Sequence, residues 1–303
     1  MNLFRQVFRK AILTVWAPYK ADLQDEEAYH LLKQGIESEA PFLCARMGCT
    51  ELQTIAFVRM MRTPVIGLAF RPFVKGVMYS IANSSGVFKP TIDVLYKFAD
   101  LYIRLFPEID VLGIWHPSER LLGKYFSGIV KISQSVVDPN LEKGTWTALL
   151  KGKKVLVVHP FADSIRSQYE KREELFDDPE VLPEFKSLYV LKAVQSIAGN
   201  VPPGFETWFD ALDYMRDEMN KIDYDIALIA CGAYGFPLGA YAKQCGKKAI
   251  VVGGNLQLLF GIKGRRWMQS EKYKRIIDKP SWVWPSESET PQGIERVPGS
   301  GYW

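Results

Sequence analysis

Short, almost unbroken apolar runs recur along this chain, most of them followed by a stretch with helical periodicity. They occupy residues 41–46 (PFLCAR), 109–115 (IDVLGIW), 128–132 (GIVKI), 154–159 (KVLVVH), 225–231 (DIALIAC) and 248–254 (KAIVVGG), with 187–194 (SLYVLKAV) as a further candidate. A run with no polar alternation has no face to give to water, so it reads as a strand covered on both sides. Strands of that kind interleaved with helices predict an α/β fold, a Rossmann-like, doubly wound and mainly parallel sheet. The same spacing predicts a helix over 23–34, capped by Asp22 and ended by Gly35, and a second one starting at Thr50.

Three regions follow from the pattern: an amphipathic N-terminal helix over 1–20, an α/β domain over 21–267, and an irregular C-terminal tail over 268–303 that packs Trp282, Trp284 and Trp303 back on the body. A weak boundary lies at 138–144. In the opening segment Phe4, Phe8, Ile12 and Trp16 share one helical stripe, and Arg5, Arg9, Lys10 and Lys20 face no acid. Docking of that stripe on the core or on a sister subunit is favoured over peripheral membrane contact. It is too broken by charge to span a bilayer, and no small-residue cleavage site marks a signal peptide. Without those four cations the chain carries 34 basic and 34 acidic residues, which argues against a nucleic-acid partner. The four cysteines stand far apart with no metal-finger spacing, which suits a reducing, cytoplasmic setting.

In open parallel sheets ligands bind outside the carboxyl ends of the strands, so the residues just after each run are the candidates. Arg46, Gly48 and Glu51 follow the first strand, where a helix start favours an anion and Glu51 can take a hydroxyl, a metal or a proton. Gly232, Tyr234 and Gly235 form a glycine turn in which backbone can approach a pyrophosphate and Tyr234 can stack on a ring. The spacing is not GxGxxG and the strand comes late, which argues against an NAD enzyme. Gly253, Gly254 and Asn255, with Lys263, Arg265 and Arg266 soon after, resemble a phosphate or sugar site. His159 stands at a strand end with Asp163 and Ser164 behind it, but no GxSxG elbow supports a serine hydrolase. Asn83 and Ser84 are a weaker polar turn in reach of donor or acceptor.

The segments RMGCTEL, VHPFADSIRSQYEKREELF, GAYGFPLGAYAKQCGKKAIVVGGNLQLLFGIKGRRW and the terminal GYW together resemble bacterial GT-D-fold glycosyltransferase-like proteins, over residues 40–303. Members of that family are similar in carrying Arg-x-Gly-Asp-Gly-Glu after the first strand, whose Asp-x-Glu pair binds the donor sugar nucleotide, often with a divalent metal. Arg46, Gly48 and Glu51 match that segment, and Cys49 stands where the family has its aspartate. A thiol is a poor ligand for Mg²⁺ or Mn²⁺, so no required cofactor is expected, with either ion as the open alternative. The resemblance also implies that the Gly232–Gly235 turn and the Gly253, Gly254 region face the nucleotide.

The resulting expectation is a cytoplasmic enzyme, near the inner face of the membrane, that moves a sugar from a nucleoside-diphosphate sugar to a glycan or glycoconjugate acceptor, with UDP-sugars first among donors. Arg46, the helix amides after Gly48 and the Lys263, Arg265, Arg266 loop would neutralise the leaving diphosphate. Asp163, His159 or Glu51 would serve as base, and the sequence does not choose among them. The rivals are a catalytically silent nucleotide-sugar-binding or scaffold protein of a glycan-assembly complex, and a different sugar-modifying transferase on a similar fold.

Overall fold

A computed structural model describes residues 19–297 and 301–303. Helix α1 (Asp25–Glu37) leads into β1 (Phe42–Arg46), and α2 (Cys49–Met61), α3 (Pro64–Phe70), α4 (Val74–Ser85) and α5 (Ile92–Leu105) separate β1 from β2 (Val111–Ile114). After β3 (Val130–Ser133) the chain turns directly into the short α6 (Gln134–Val137), then crosses to β4 (Lys154–His159), α7 (Ala162–Glu170) and β5 (Ser187–Lys192). Next come α8 (Trp208–Asn220), β6 (Ile226–Ile229), α9 (Gly235–Gln244), β7 (Lys248–Val251), α10 (Leu256–Leu259), α11 (Arg265–Met268) and α12 (Glu271–Ile277).

The strands form one seven-stranded sheet in the order β3-β2-β1-β7-β6-β4-β5, and every pairing is parallel. Alternation within the buried strands sends side chains to two separate cores. Leu43, Ala45, Leu156, Val158, Ala227 and Ile229 meet Leu52, Phe98, Tyr102, Trp208 and Leu238 on one face. Phe42, Cys44, Val155, Val157, Ile226 and Leu228 meet Leu32, Ile36, Ile165, Trp146 and Leu259 on the other. Each such Leu, Ile or Phe contributes about 1.5–3 kcal/mol of burial, which explains why the runs tolerate no polar residue.

The winding decides where a ligand can sit. The chain leaves β1 and β6 toward the first face, through α2 and α9, but leaves β4 and β7 toward the second, through α7 and α10. Since β1 neighbours β7 and β6 neighbours β4, neighbouring exits diverge at both junctions and open a crevice above the carboxyl ends.

Several local expectations shift. Gln24, not Asp22, caps α1 with Glu27, and Asp22 instead accepts the Lys131 amide at 2.8 Å. Gly35 lies inside the helix, where a Cβ would come within 2.4 Å of the Phe42 ring. Gly48 is the N-cap of α2, with Thr50 already in its first turn. The region 138–144 is no break, for Leu141 is buried and the Gly144 amide donates to Asp178. The tail is not wholly irregular, since α12 lies within it, and Trp282 and Trp303 are buried whereas Trp284 is 46% exposed. The stripe of the N-terminal helix lies outside the described residues.

Candidate functional site

A cavity of about 600 Å³ opens above the sheet, walled by the exits of all seven strands. From β1 it takes Arg46, Gly48 and Glu51; from β6, Gly232, Tyr234 and Gly235; from β7, Gly253, Gly254, Asn255 and Gln257; from β4, His159. Ser84 and Ser85 at the end of α4 and Tyr302 of the C-terminal tail complete the wall.

Arg46 is the pivot. Its guanidinium lies 5.0 Å from the Trp115 ring centroid, and a Cβ on Gly253 would fall 2.0 Å from its Nη1. Gly253 has φ of +75°, a region where glycine alone avoids strain, so its backbone gives this side chain room. Arg46 has no ion pair within 4.0 Å among the described residues, although Glu51 and Glu119 are close enough to feel its charge. A cation with one face on an indole and no carboxylate clamped to it is free to bond phosphate oxygens.

Glu51 curls back over the start of its own helix. A Cβ on Gly48 would meet its Oε2 at 1.9 Å, so only glycine leaves room for the carboxylate there. Burial raises its pKa above the ordinary carboxylate value, against opposing hydrogen bonds from its own amide and Ser85 and the charge of Arg46. One amide of the first turn of α2, that of Glu51, is thus met by an internal carboxylate rather than left open to a diphosphate. Glu119, fully buried behind Trp115, accepts the Trp115 and His116 amides, and burial raises its pKa to about 7.

His159 accepts the Phe161 amide on Nδ1 at 2.9 Å, and burial lowers its pKa to about 3. The remaining proton therefore sits on Nε2, which makes the ring a neutral donor and a poor base. Asp163 does not reach the cavity. It is exposed and paired with Arg166 at 2.8 Å and Lys192 at 3.4 Å. The reason lies in the tail: the buried Glu289 carboxylate accepts the Asp163 amide at 2.8 Å, the Ser164 amide at 3.2 Å and the Ser164 hydroxyl. The anion position at the start of α7 is filled by the protein itself.

Tyr234 lines the cavity but is not a stacking platform, because its ring already lies against Trp208 at 4.8 Å and 10° and its hydroxyl reaches Ser196. Asn255 accepts the Trp267 indole N–H. Asn83 turns away and donates to the Tyr79 carbonyl, leaving Ser84 at the wall. Of the basic loop, Arg266 lines the cavity and donates to the Tyr302 hydroxyl at 3.0 Å; Arg265 lines a separate groove with Trp284, and Lys263 lines neither.

Trp115, Gln134, Ser135, Ser196 and Tyr302 also line the cavity without having been singled out in the sequence. Trp115 and Gln134 each directly follow a strand, the signal that would have found them. The Ser84 hydroxyl, Gln134 Oε1 and Gln257 Oε1 are buried without a hydrogen-bond partner among the described residues. Each such group costs about 1–3 kcal/mol when left unmade, so three of them on residues that line one cavity suit a ligand rich in hydroxyls.

Among the described residues no group of three or more His, Cys, Asp or Glu side chains is placed to hold a metal. At the β1 exit Glu51 is already engaged and Cys49 offers only a thiol, so this donor pair does not fit a hard divalent cation. No protein-family description, curated protein or solved structure matches the chain.

Proposed function

We propose that this cavity binds a nucleoside-diphosphate sugar and that the protein is a glycosyltransferase of the GT-D type, acting on a glycan or glycoconjugate acceptor. The observation that carries the reading is Arg46, free of any ion pair among the described residues, in a cavity whose lining residues Ser84, Gln134 and Gln257 each carry a buried oxygen without a hydrogen-bond partner among the described residues. The cation suits the diphosphate, the oxygens suit sugar or ribose hydroxyls, and the glycine turns at Gly232 and Gly253 let backbone come close.

In this reading Arg46 and Arg266 neutralise the charge that develops on the leaving diphosphate, and His159 Nε2–H serves as a neutral donor. Glu51 is the base of choice among the three considered, because it lines the cavity, whereas Asp163 is ion-paired outside it and the neutral His159 ring is a poor base. Release of nucleoside diphosphate from UDP-, GDP- or dTDP-sugars, with and without acceptor, tests the reading. No binding of any nucleoside diphosphate in a thermal-shift screen would sink it.

A second reading, a silent nucleotide-sugar-binding protein, is favoured by one feature: the Glu51 carboxylate is tied to its own helix start beside Cys49. Donor binding without hydrolysis or transfer across acceptors would select it.

A further inference from the structure

Between Leu52 and Ile92 the sequence holds no Asp or Glu but five cations, Arg59, Arg62, Arg71, Lys75 and Lys89. The middle of that stretch folds as α3, a single 3-10 turn (Arg71–Phe73) and α4, and it turns large apolar side chains outward. Val65 is 81% exposed, Leu68 62%, Tyr79 55%, Ile66 45% and Phe73 41%. Gly67 locks α3 against the end of α2, since a Cβ there would meet the Met61 carbonyl at 2.4 Å, so the outward face is set by backbone packing. Arg71 and Lys75 stand exposed beside these residues and form no ion pair among the described residues; Arg62 is paired with Asp100.

Pro64–Ser85 is long and apolar enough to cross a membrane by length and composition. Crossing would dismantle the protein, because Val77, Ile81 and Ala82 of α4 are buried in the core and Ser84 walls the cavity. An orientation in the plane of the interface keeps both. It places an apolar patch in the acyl boundary and its cations at the headgroups, the arrangement of an interfacial helix. A second copy of the chain fits less well, because a two-fold contact through this patch would bring the exposed Arg71 and Lys75 of one copy toward those of the other.

We infer that α3 and the first turns of α4 form a docking surface for an anionic lipid bilayer. The inference stands apart from the glycosyltransferase reading, and it leads from the bilayer to the cavity, since Ser84 lies five residues beyond Tyr79, about 7.5 Å along the helix.

Flotation of the full chain with vesicles of phosphatidylcholine alone, or with roughly one-third phosphatidylglycerol, tests it. The wild type is expected to float with the anionic vesicles only, and less as salt rises. A Val65→Ser/Leu68→Ser/Phe73→Ser variant and an Arg71→Glu/Lys75→Glu variant should each bind at least about tenfold more weakly. These positions lie outside the core, so circular dichroism and melting temperature should match wild type. The inference is overturned if wild type ignores anionic vesicles, or if both variants float as well as wild type, which would move the contact elsewhere, residues 1–18 included. A concentration-dependent dimer lost in the triple-Ser variant would assign the patch to a second copy instead.

Discussion

The Arg46 guanidinium rests 5.0 Å from the Trp115 ring centroid while the Trp115 indole donates to the Met47 carbonyl at 2.9 Å, so the exits of β1 and β2 fix one another. The arrangement holds the cation in place before any ligand arrives, and a preorganised cation loses little freedom on binding.

Arg46→Ala is therefore expected to weaken nucleoside-diphosphate binding by about 10- to 100-fold, the range of a charged hydrogen bond, with little change in melting temperature. Calorimetric titration with UDP measures it. Wild-type affinity in the variant would remove Arg46 from the site.

Gly253→Ala should damage the same site from the backbone side. A left-handed φ costs a non-glycine residue about 1–2 kcal/mol, and the new Cβ would also strike the Arg46 Nη1. Gly204, with φ of +83° and nothing within 4 Å of its would-be Cβ, supplies the control. Gly204→Ala should share the stability loss and keep ligand affinity, whereas Gly253→Ala should lose both. Equal affinities in the two variants would mean that Arg46 is not held by this turn.

Glu119 gives the fold a pH signature. Its pKa rises from 4.5 to about 7 on burial, so the native state keeps a proton that the unfolded chain releases. The resulting stability is fully present below 4.5 and lost as pH climbs through about 7, at on the order of 1 kcal/mol per pH unit within that window. Glu119→Gln, always neutral, should flatten that slope in denaturant melts between pH 5 and 8. An unchanged slope would show that Glu119 is ionised throughout.

The donor set at the start of α2 predicts weak or absent dependence on divalent metal, since Cys49 and an engaged Glu51 offer no pair of hard oxygens. Donor binding should survive EDTA and collapse in Arg46→Ala/Arg266→Ala. Loss with EDTA that Mn²⁺ restores would contradict this.

The five inner strands were legible in the sequence because parallel strands buried on both faces must be apolar, and β4 was read residue for residue at 154–159; β5, a half-exposed edge strand, was only a further candidate. Caps were less legible. Any of several polar residues can satisfy a helix start, and the choice of Gln24 over Asp22 depended on Lys131, which is more than a hundred residues away. The candidate site was legible where a glycine turn follows a strand, as at Gly48, Gly232 and Gly253. It was misread at Asp163 because the competing anion, Glu289, comes from a tail 126 residues later. Tyr234 was misread for a similar reason, its ring being taken by Trp208.

The position of β1 in the sheet also sets when this site can exist. Cys44 pairs on one side with Val111 and on the other with Ile250, so the second edge of β1 finds its partner only when the last strand arrives. Until then β1 exposes a bare edge and Arg46 lacks the Gly253 turn that confines it. Loop closure over so long a separation is slow, and it comes last in a chain made from the N-terminus. No fragment ending before β7 can hold the complete cavity. Ligand binding thus serves as a completion test for folding, and a molecule that binds the finished cavity draws late intermediates toward the native state by mass action.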